Sequence, residues 1–222
     1  WMSDYAKLIY KIAEDHGWAT ALLICVSGLF LWVERGRIAA LYGKLTRRGS
    51  GGLCATITTI LGSILWHTQA DRAYLFEYRE YDEKISPVPY QYTDNTVEVV
   101  NPVSCVSRQK ENLQGIPLAS VPFWTQTLAE SGEVALDSIE DIRDQDPAAY
   151  ALLCRQQIQS CYAVHLYSAR GLALGFVGVD FCTRRADMTP EQIRGLRMEA
   201  LKIAGLLMFK NRAATPLKGA AP

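Results

Sequence analysis

Charge imbalance is the first thing missing from this chain: 23 lysines and arginines are matched by 23 aspartates and glutamates, for a formal net charge of zero. A neutral chain carries no general electrostatic footprint for nucleic acid, so that partner class is set aside. Histidine is scarce as well, with three in 222 residues. His16, His67 and His165 stand apart from any cysteine or carboxylate at ligand spacing, which leaves no metal-binding signature. The six cysteines (Cys25, Cys54, Cys105, Cys154, Cys161 and Cys182) include no C-x-x-C and no paired spacing. Thiols so scattered fit a reducing compartment and behave mostly as small buried hydrophobes. There is no glycine-rich phosphate cradle and no nucleophile beside a base, so the residues point to no enzyme.

What is present begins with an uncharged run, Trp18 to Val33, WATALLICVSGLFLWV. As a helix it would span about 24 Å, against a hydrocarbon core of about 30 Å. Trp18 and Trp32 fall where aromatic side chains mark the headgroup regions, and His16 and Gly17 can lengthen the span where a bilayer thins. A buried core helix is the alternative for so short a run. A cleaved signal peptide fits less well, because Glu34-Arg35-Gly36-Arg37 follows with no small-x-small pattern. Apolar all round rather than striped, the run is read as one transmembrane helix. Arg35, Arg37, Lys44, Arg47 and Arg48 follow it, whereas Lys7 and Lys11 precede it, a bias that places the C-terminal part in the cytoplasm and the protein in the inner membrane.

The expected organisation is an amphipathic lead over 3–17, the span over 18–33, a basic helical flank and Gly/Ser linker over 34–52, a folded domain over 53–210 and a disordered tail over 211–222. Ile38, Leu41 and Leu45 continue a helical stripe through the basic flank, a surface on which a second copy can pair. Within the domain, helical spacing over Leu53–Thr68 precedes a strand over Arg72–Arg79. Pro87, Pro89, Asp94 and Asn95 read as breakers before a strand over Thr96–Val100. A helix over Phe123–Glu130 ends at Gly132, a short strand covers Glu133–Leu136, and Pro147 opens a helix to about Ser160. Tyr162–Ser168 and Leu172–Cys182 read as a hairpin around Gly171. Thr189-Pro190-Glu191-Gln192 opens the last helix as a capping box, with Ile193, Leu196, Ala200, Ile203, Ala204 and Leu207 as its buried stripe. Helices before and after hairpins predict an antiparallel sheet flanked by helices, an α+β fold.

Several pieces taken in order resemble a GAF domain, the small-molecule sensor fold, in a subtype found upstream of bacterial sensor kinases and cyclic-dinucleotide enzymes. They are Ala70–Tyr78, Asn95-Thr96 with Glu98 before Pro102, Asn112–Leu118 with Pro122-Phe123-Trp124, Gly132-Glu133-Val134 and Gly175–Phe181. The resemblance covers about residues 53 to 209. It implies an antiparallel sheet with the first and last helices on one face and a ligand pocket on the other, under the segment from about 90 to 160. Phe181–Asp187 lacks the cyclic-nucleotide signature of that family. Cys154 is followed by Arg155 rather than the histidine of bilin-binding members, so no cofactor is assigned. No kinase, cyclase or phosphodiesterase follows the domain, so the usual output module is expected to be absent.

Candidate ligand-binding side chains are Tyr78, Tyr90, Tyr92, Phe123 and Trp124, the aromatic concentration of that segment, together with His165 on its strand. Core packing is the competing role for these rings. Cys154 and Cys161 are the candidate redox pair, a reading that needs an exposed low-pKa thiolate. Glu77 and Asp180 sit on predicted strands as candidate paired carboxylates for acid–base work, against the ordinary role of a strand-edge carboxylate bonded to a neighbour. The function these features favour is a membrane-anchored, non-catalytic GAF-like sensor binding a small molecule or protein partner. Its signal would pass through a homodimer or a separate effector. A lysis protein laid out like the T-type holins of large phages is one alternative, and a thiol-redox sensor or enzyme is another.

Overall fold

The computed structural model describes residues 51–185 and 188–214. The amphipathic lead, the span over 18–33 and most of the basic flank therefore lie outside the described residues. Among the described residues no helix is long and apolar enough to cross a membrane.

The chain runs α1 (Gly51–Thr68), β1 (Arg72–Tyr81), β2 (Tyr90–Val100), β3 (Ile116–Pro117), α2 (Pro122–Ser131), β4 (Glu133–Leu136), α3 (Pro147–Arg155), β5 (Ser160–Tyr167), β6 (Ala173–Phe181) and α4 (Pro190–Ala214). The tail expected from Asn211 is helical as far as Ala214 and otherwise lies outside the described residues. The strands form one sheet in the order β3-β2-β1-β6-β5-β4, and every neighbouring pair is antiparallel. This is the α+β architecture that the element order predicts.

Register divides the strand residues between two faces. Tyr74, Phe76 and Tyr78 of β1 share a face with Phe176 and Asp180 of β6 and with Cys161, Ala163 and His165 of β5, because pairing brings Phe76 opposite Phe176 and His165 opposite Phe176. On this face lies the main apolar cluster, closed by Leu113, Leu118, Val121, Trp124, Leu128 and Leu153 from the connecting segments. Leu75, Val177 and Val179 alternate with those residues and belong to the opposite face. That side is covered by α4, which packs on β5 and β6, and by α1, tied to α4 where Gln192 Nε2 donates to the His67 carbonyl at 3.1 Å. The buried stripes Ile57, Leu61, Ile64 and Leu65 of α1 and Leu196, Ala200, Ile203 and Leu207 of α4 are those the periodicity marks.

The capping box forms reciprocally: Thr189 N–H donates to Gln192 Oε1 at 2.9 Å, and Gln192 N–H donates to Thr189 Oγ1 at 3.3 Å. Gly132 ends α2 in the left-handed conformation, φ 78°. Two boundaries differ from expectation. β2 begins at Tyr90, so Asp94 and Asn95 lie inside a strand rather than breaking one. α3 stops at Arg155, where Gln157 takes a left-handed φ of 60° and the Ile158 N–H turns back to the Leu153 carbonyl at 3.1 Å.

Asp146 joins two of the elements over the sheet. Its Oδ1 accepts from Ala149 N–H at 2.9 Å, capping α3, while its Oδ2 accepts from Phe123 N–H at 3.0 Å in the first turn of α2. The carboxylate is buried and sits at two helix N-termini, where the helix dipoles favour negative charge. Asp146→Ala removes both acceptors and is expected to lower stability by about 2–4 kcal/mol. A shifted urea-unfolding midpoint at unchanged slope is the readout.

Candidate ligand-binding cavity

Between the sheet face and the segments around α2 and α3 lies a cavity of about 60 Å³. Its walls are largely apolar: Phe76 and Phe176 stack at 4.7 Å, and Trp124 tilts against Phe176 at 5.9 Å. Leu113, Ile116, Leu118 and Val121 close one side, and Ala149, Leu152 and Leu153 of α3 close another.

The polar end is made by a strand irregularity. Between Leu75 and Phe76 the β1–β2 register shifts, so Leu75 faces Val97 while Phe76 faces Asn95, leaving Thr96 as the extra residue. A bulge of this kind changes which side chains share a face. Asn95 and Glu98, three apart, both line the cavity with Thr93, whereas strict alternation would send Glu98 to the other side. The Asn95 backbone is held on both sides: its N–H donates to the Leu113 carbonyl at 2.8 Å, and its carbonyl accepts from Gln114 Nε2 at 2.7 Å.

Behind these residues is a buried ionic group. Arg72, 1% exposed, places Nε 3.3 Å from Asp180 Oδ2, without the alignment of a hydrogen bond. Its Nη2 donates to the Gln156 carbonyl at 2.9 Å and to Cys182 Sγ at 3.2 Å, and its Nη1 donates to the Ser107 carbonyl at 3.3 Å. Both Glu98 oxygens accept from Gln109 N–H, at 3.1 and 3.0 Å. Burial holds the Glu98 carboxyl above its usual range, against those bonds and against Arg72. Burial likewise lifts Asp180 to about 6, with the neighbouring Arg72 guanidinium opposing. Tyr74, over the same corner, is pushed well up by burial and by the Asp180 charge.

Four buried side-chain atoms of residues that line this cavity have no hydrogen-bond partner: Asn95 Nδ2 and Oδ1, Trp124 Nε1 and Asp180 Oδ1. Native interiors rarely leave such groups bare, since each costs about 1–3 kcal/mol.

Of the side chains singled out in the sequence, Trp124 and Asp180 reach this cavity. Tyr78 shares the sheet face but is satisfied: its hydroxyl lies 3.1 Å from His165 Nε2, and its ring stacks on Tyr90 at 5.2 Å. His165 Nδ1 lies 3.1 Å from the Leu128 carbonyl. The Tyr90 hydroxyl donates to the Ala173 carbonyl at 2.8 Å. Tyr90 and Tyr92 border a separate groove of about 400 Å³ beside β3. Phe123 packs half-buried against the core. Cys154 is exposed and Cys161 is buried; burial pushes the Cys161 thiol well up and Cys182 up to about 12, the reverse of a reactive thiolate. Glu77 and Asp180 do not pair: Glu77 faces Gly175 and accepts from Lys210 Nζ at 2.7 Å, while Asp180 faces Arg72. Asn95, Glu98 and the aromatic walls Phe76 and Phe176 are the lining residues that residue-type reasoning passed over. Among the described residues no cluster of His, Cys, Asp and Glu suits a metal ion.

No protein-family model and no curated relative matches the sequence. Solved structures do match the fold. A phycocyanobilin-bound GAF domain from a cyanobacterial phytochrome superposes with a TM-score of 0.58 at 10% identity, covering 82% of this chain and 98% of that one. GAF3 from Slr1393 of Synechocystis sp. PCC6803, in its photoproduct state, gives 0.55 at 13% identity, covering 73% and 97%. A far-red cyanobacteriochrome photoreceptor gives 0.56 at 14%, covering 81% and 98%. The fold is a GAF fold. At these identities the likeness concerns fold alone, and the bilin named for the first neighbour does not transfer. This GAF cavity has about 60 Å³ and no cysteine in its lining. Pockets for drug-sized ligands span about 300–1,000 Å³.

Two buried groups bracket the GAF sheet with opposite pH signatures. His165 is lowered from 6.5 to about 4 by burial, so its contribution to stability is present above 6.5 and is lost as pH falls through about 4. Asp180 is raised from 3.8 to about 6, so its contribution is present below 3.8 and is lost as pH rises through about 6. The slopes oppose one another between about 4 and 6. Relative to wild type, His165→Gln is expected to lose stability as pH rises across that window, and Asp180→Asn to gain it. Urea midpoints at several pH values give both slopes; parallel curves for the two variants would contradict this.

Proposed function

We propose that this chain is a non-catalytic sensory or regulatory protein whose GAF-fold domain binds a small molecule in the cavity above β1, β2 and β6. The observation that carries this reading is the set of buried, unpartnered polar atoms of Asn95, Trp124 and Asp180 on the wall of an otherwise apolar cavity. A packed core has no use for such groups, whereas a ligand that meets them turns a cost into specificity. Tethering belongs to the same proposal: the run over 18–33 anchors the protein in the inner membrane, with the domain on the cytoplasmic side.

Output is proposed to pass through a homodimer or a separate effector. Support comes from Trp66 of α1 and from Met198, Leu201 and Phe209 of α4, large apolar side chains left exposed at 49–87%. The three on α4 fall on one broad helical face. Scattered apolar residues are ordinary on a protein surface, but a stripe on one helix suits a partner helix.

The test is native mass spectrometry of the full chain released from detergent micelles, which reports bound small molecules and protomer number together. A ligand-sized mass adduct that disappears in Trp124→Ala is the expected result. A C-terminal topology reporter gives the independent check on tethering, and a C-terminus outside the cytoplasm would sink that part.

A further inference from the structure

The unpartnered atoms also describe the ligand. Resting on the reading of the cavity as a ligand site, we propose that it takes a small uncharged molecule of the carboxamide class, carrying both an N–H donor and a carbonyl acceptor. The argument is one of complementarity. Trp124 Nε1 and Asn95 Nδ2 are donors that need an acceptor, and Asn95 Oδ1 is an acceptor that needs a donor. Asp180 Oδ1 has no partner at hydrogen-bond geometry, although the Tyr74 hydroxyl beside it acts on the same carboxylate. An anion such as a carboxylate offers acceptors only; it leaves Asn95 Oδ1 and Asp180 Oδ1 bare and adds a negative charge beside Asp180 and Glu98. An alkylammonium offers donors only and leaves both N–H groups bare. A primary amide answers all of them, since its edge mirrors the carboxamide of Asn95.

The ionic neighbours sharpen the exclusion. Arg72 is the buried cation at this corner, engaged by Asp180 and by the carbonyls of Ser107 and Gln156, while the exposed Arg108 adds a second positive charge on the Glu98 side. Both oxygens of Glu98 share the single Gln109 N–H. An anionic ligand would therefore meet a guanidinium already facing a carboxylate and would add negative charge beside Asp180 and Glu98, which is costly in a buried site. Size limits the class further. An apolar cavity of about 150 Å³ holds benzene, so one of about 60 Å³ limits the class to its smallest members, formamide and acetamide, and excludes ring systems. Phe76, Phe176 and Trp124 give a planar amide flat surfaces to lie against.

The probes are acetamide, acetate and acetamidinium, which share one planar forked shape and differ in charge and hydrogen-bonding pattern. Each is titrated into the full chain in micelles while the indole N–H resonance of Trp124, assigned with Trp124→Phe, is followed by NMR. Acetamide is expected to shift that resonance saturably and to bind about tenfold tighter than either ion, the factor one unmet buried hydrogen bond represents. Asn95→Asp, nearly isosteric, is expected to weaken acetamide about tenfold and to favour acetamidinium. Asn95→Leu, which removes an unsatisfied polar group, is expected to fold normally and to bind no amide. Equal or tighter binding of acetate or acetamidinium at the same resonance would overturn the ligand class while leaving the cavity a binding site. If none of the three probes moves the Trp124 resonance at any concentration the fold tolerates, both readings fall.

Discussion

Gly175→Ala is expected to cost about 4 kcal/mol or more, a large share of the total stability of about 5–15 kcal/mol typical of a domain, and to leave most of the protein unfolded or insoluble. Gly175 lies in β6 with neighbours on both sides, Glu77 of β1 and Leu166 of β5. Its φ is +148°, a conformation that side chains rarely adopt, and a Cβ there would stand 1.9 Å from the Phe76 carbonyl oxygen and 2.9 Å from the Phe76 carbonyl carbon. The obstructing atoms belong to the backbone of a central strand, so no rotamer change relieves the contact. Moving Phe76 away would also move the ring that stacks on Phe176 and walls the cavity. A control separates this from a general aversion to alanine. Gly62 lies in α1 with nothing within 4 Å of its would-be Cβ, so Gly62→Ala is expected to stabilise by about 0.5–1 kcal/mol through helix propensity alone. Thermal unfolding of the two variants side by side checks the contrast. A Gly175→Ala protein as stable as wild type would mean that β6 is not held as described.

The helices that cover the outer face were legible because their signals are local. The capping box at Thr189 and Gln192, the apolar stripe that follows it and the left-handed stop at Gly132 each depend on residues a few positions apart. The same holds for the β5–β6 hairpin around Gly171, and for the antiparallel α+β arrangement that the order of elements implied. The cavity's polar end was hidden for the opposite reason. Asp94 and Asn95 are turn-forming residue types, and only their pairing with Phe76 and Glu77 on β1 draws them into a strand. Their placement depends on a register shift set by a partner distant in sequence. The tyrosines misled for a related reason: Tyr78 and Tyr90 do sit near the cavity, but their hydroxyls are consumed by His165 and by Ala173. Aromatic content marks this side of the sheet; which rings stay free is decided by contacts the sequence does not display. The overrun of α3 has a simpler cause, since Gln156-Gln157 offers neither glycine nor proline as a stop, and yet Gln157 takes the left-handed turn.

Arg72→Met is the second change expected to have a large effect, about 3–5 kcal/mol of lost stability. Its guanidinium is 1% exposed and faces Asp180, with the carbonyls of Ser107 and Gln156 as further partners. Methionine fills much of the same volume but supplies no donor. Asp180 is then left buried without its cation, and two carbonyls lose a bond, so the Asp180 carboxyl is expected to titrate above the wild-type value of about 6. Fluorescence-detected urea unfolding at pH 5 and pH 8 reads this directly, with the larger loss at the higher pH, where the stranded carboxylate would have to ionise. Retaining wild-type stability at both would show that the ion pair contributes nothing net. The double variant Arg72→Met with Asp180→Leu then decides what the pair is for. Apolar replacement of a whole buried ion pair is often neutral or stabilising, so the double variant is expected to recover most of the loss. If it folds as well as wild type yet no longer takes an amide at the Trp124 end of the cavity, the ion pair serves the site rather than the fold. Arg72 is then a positioning residue that holds one oxygen of Asp180 and leaves the other to the ligand.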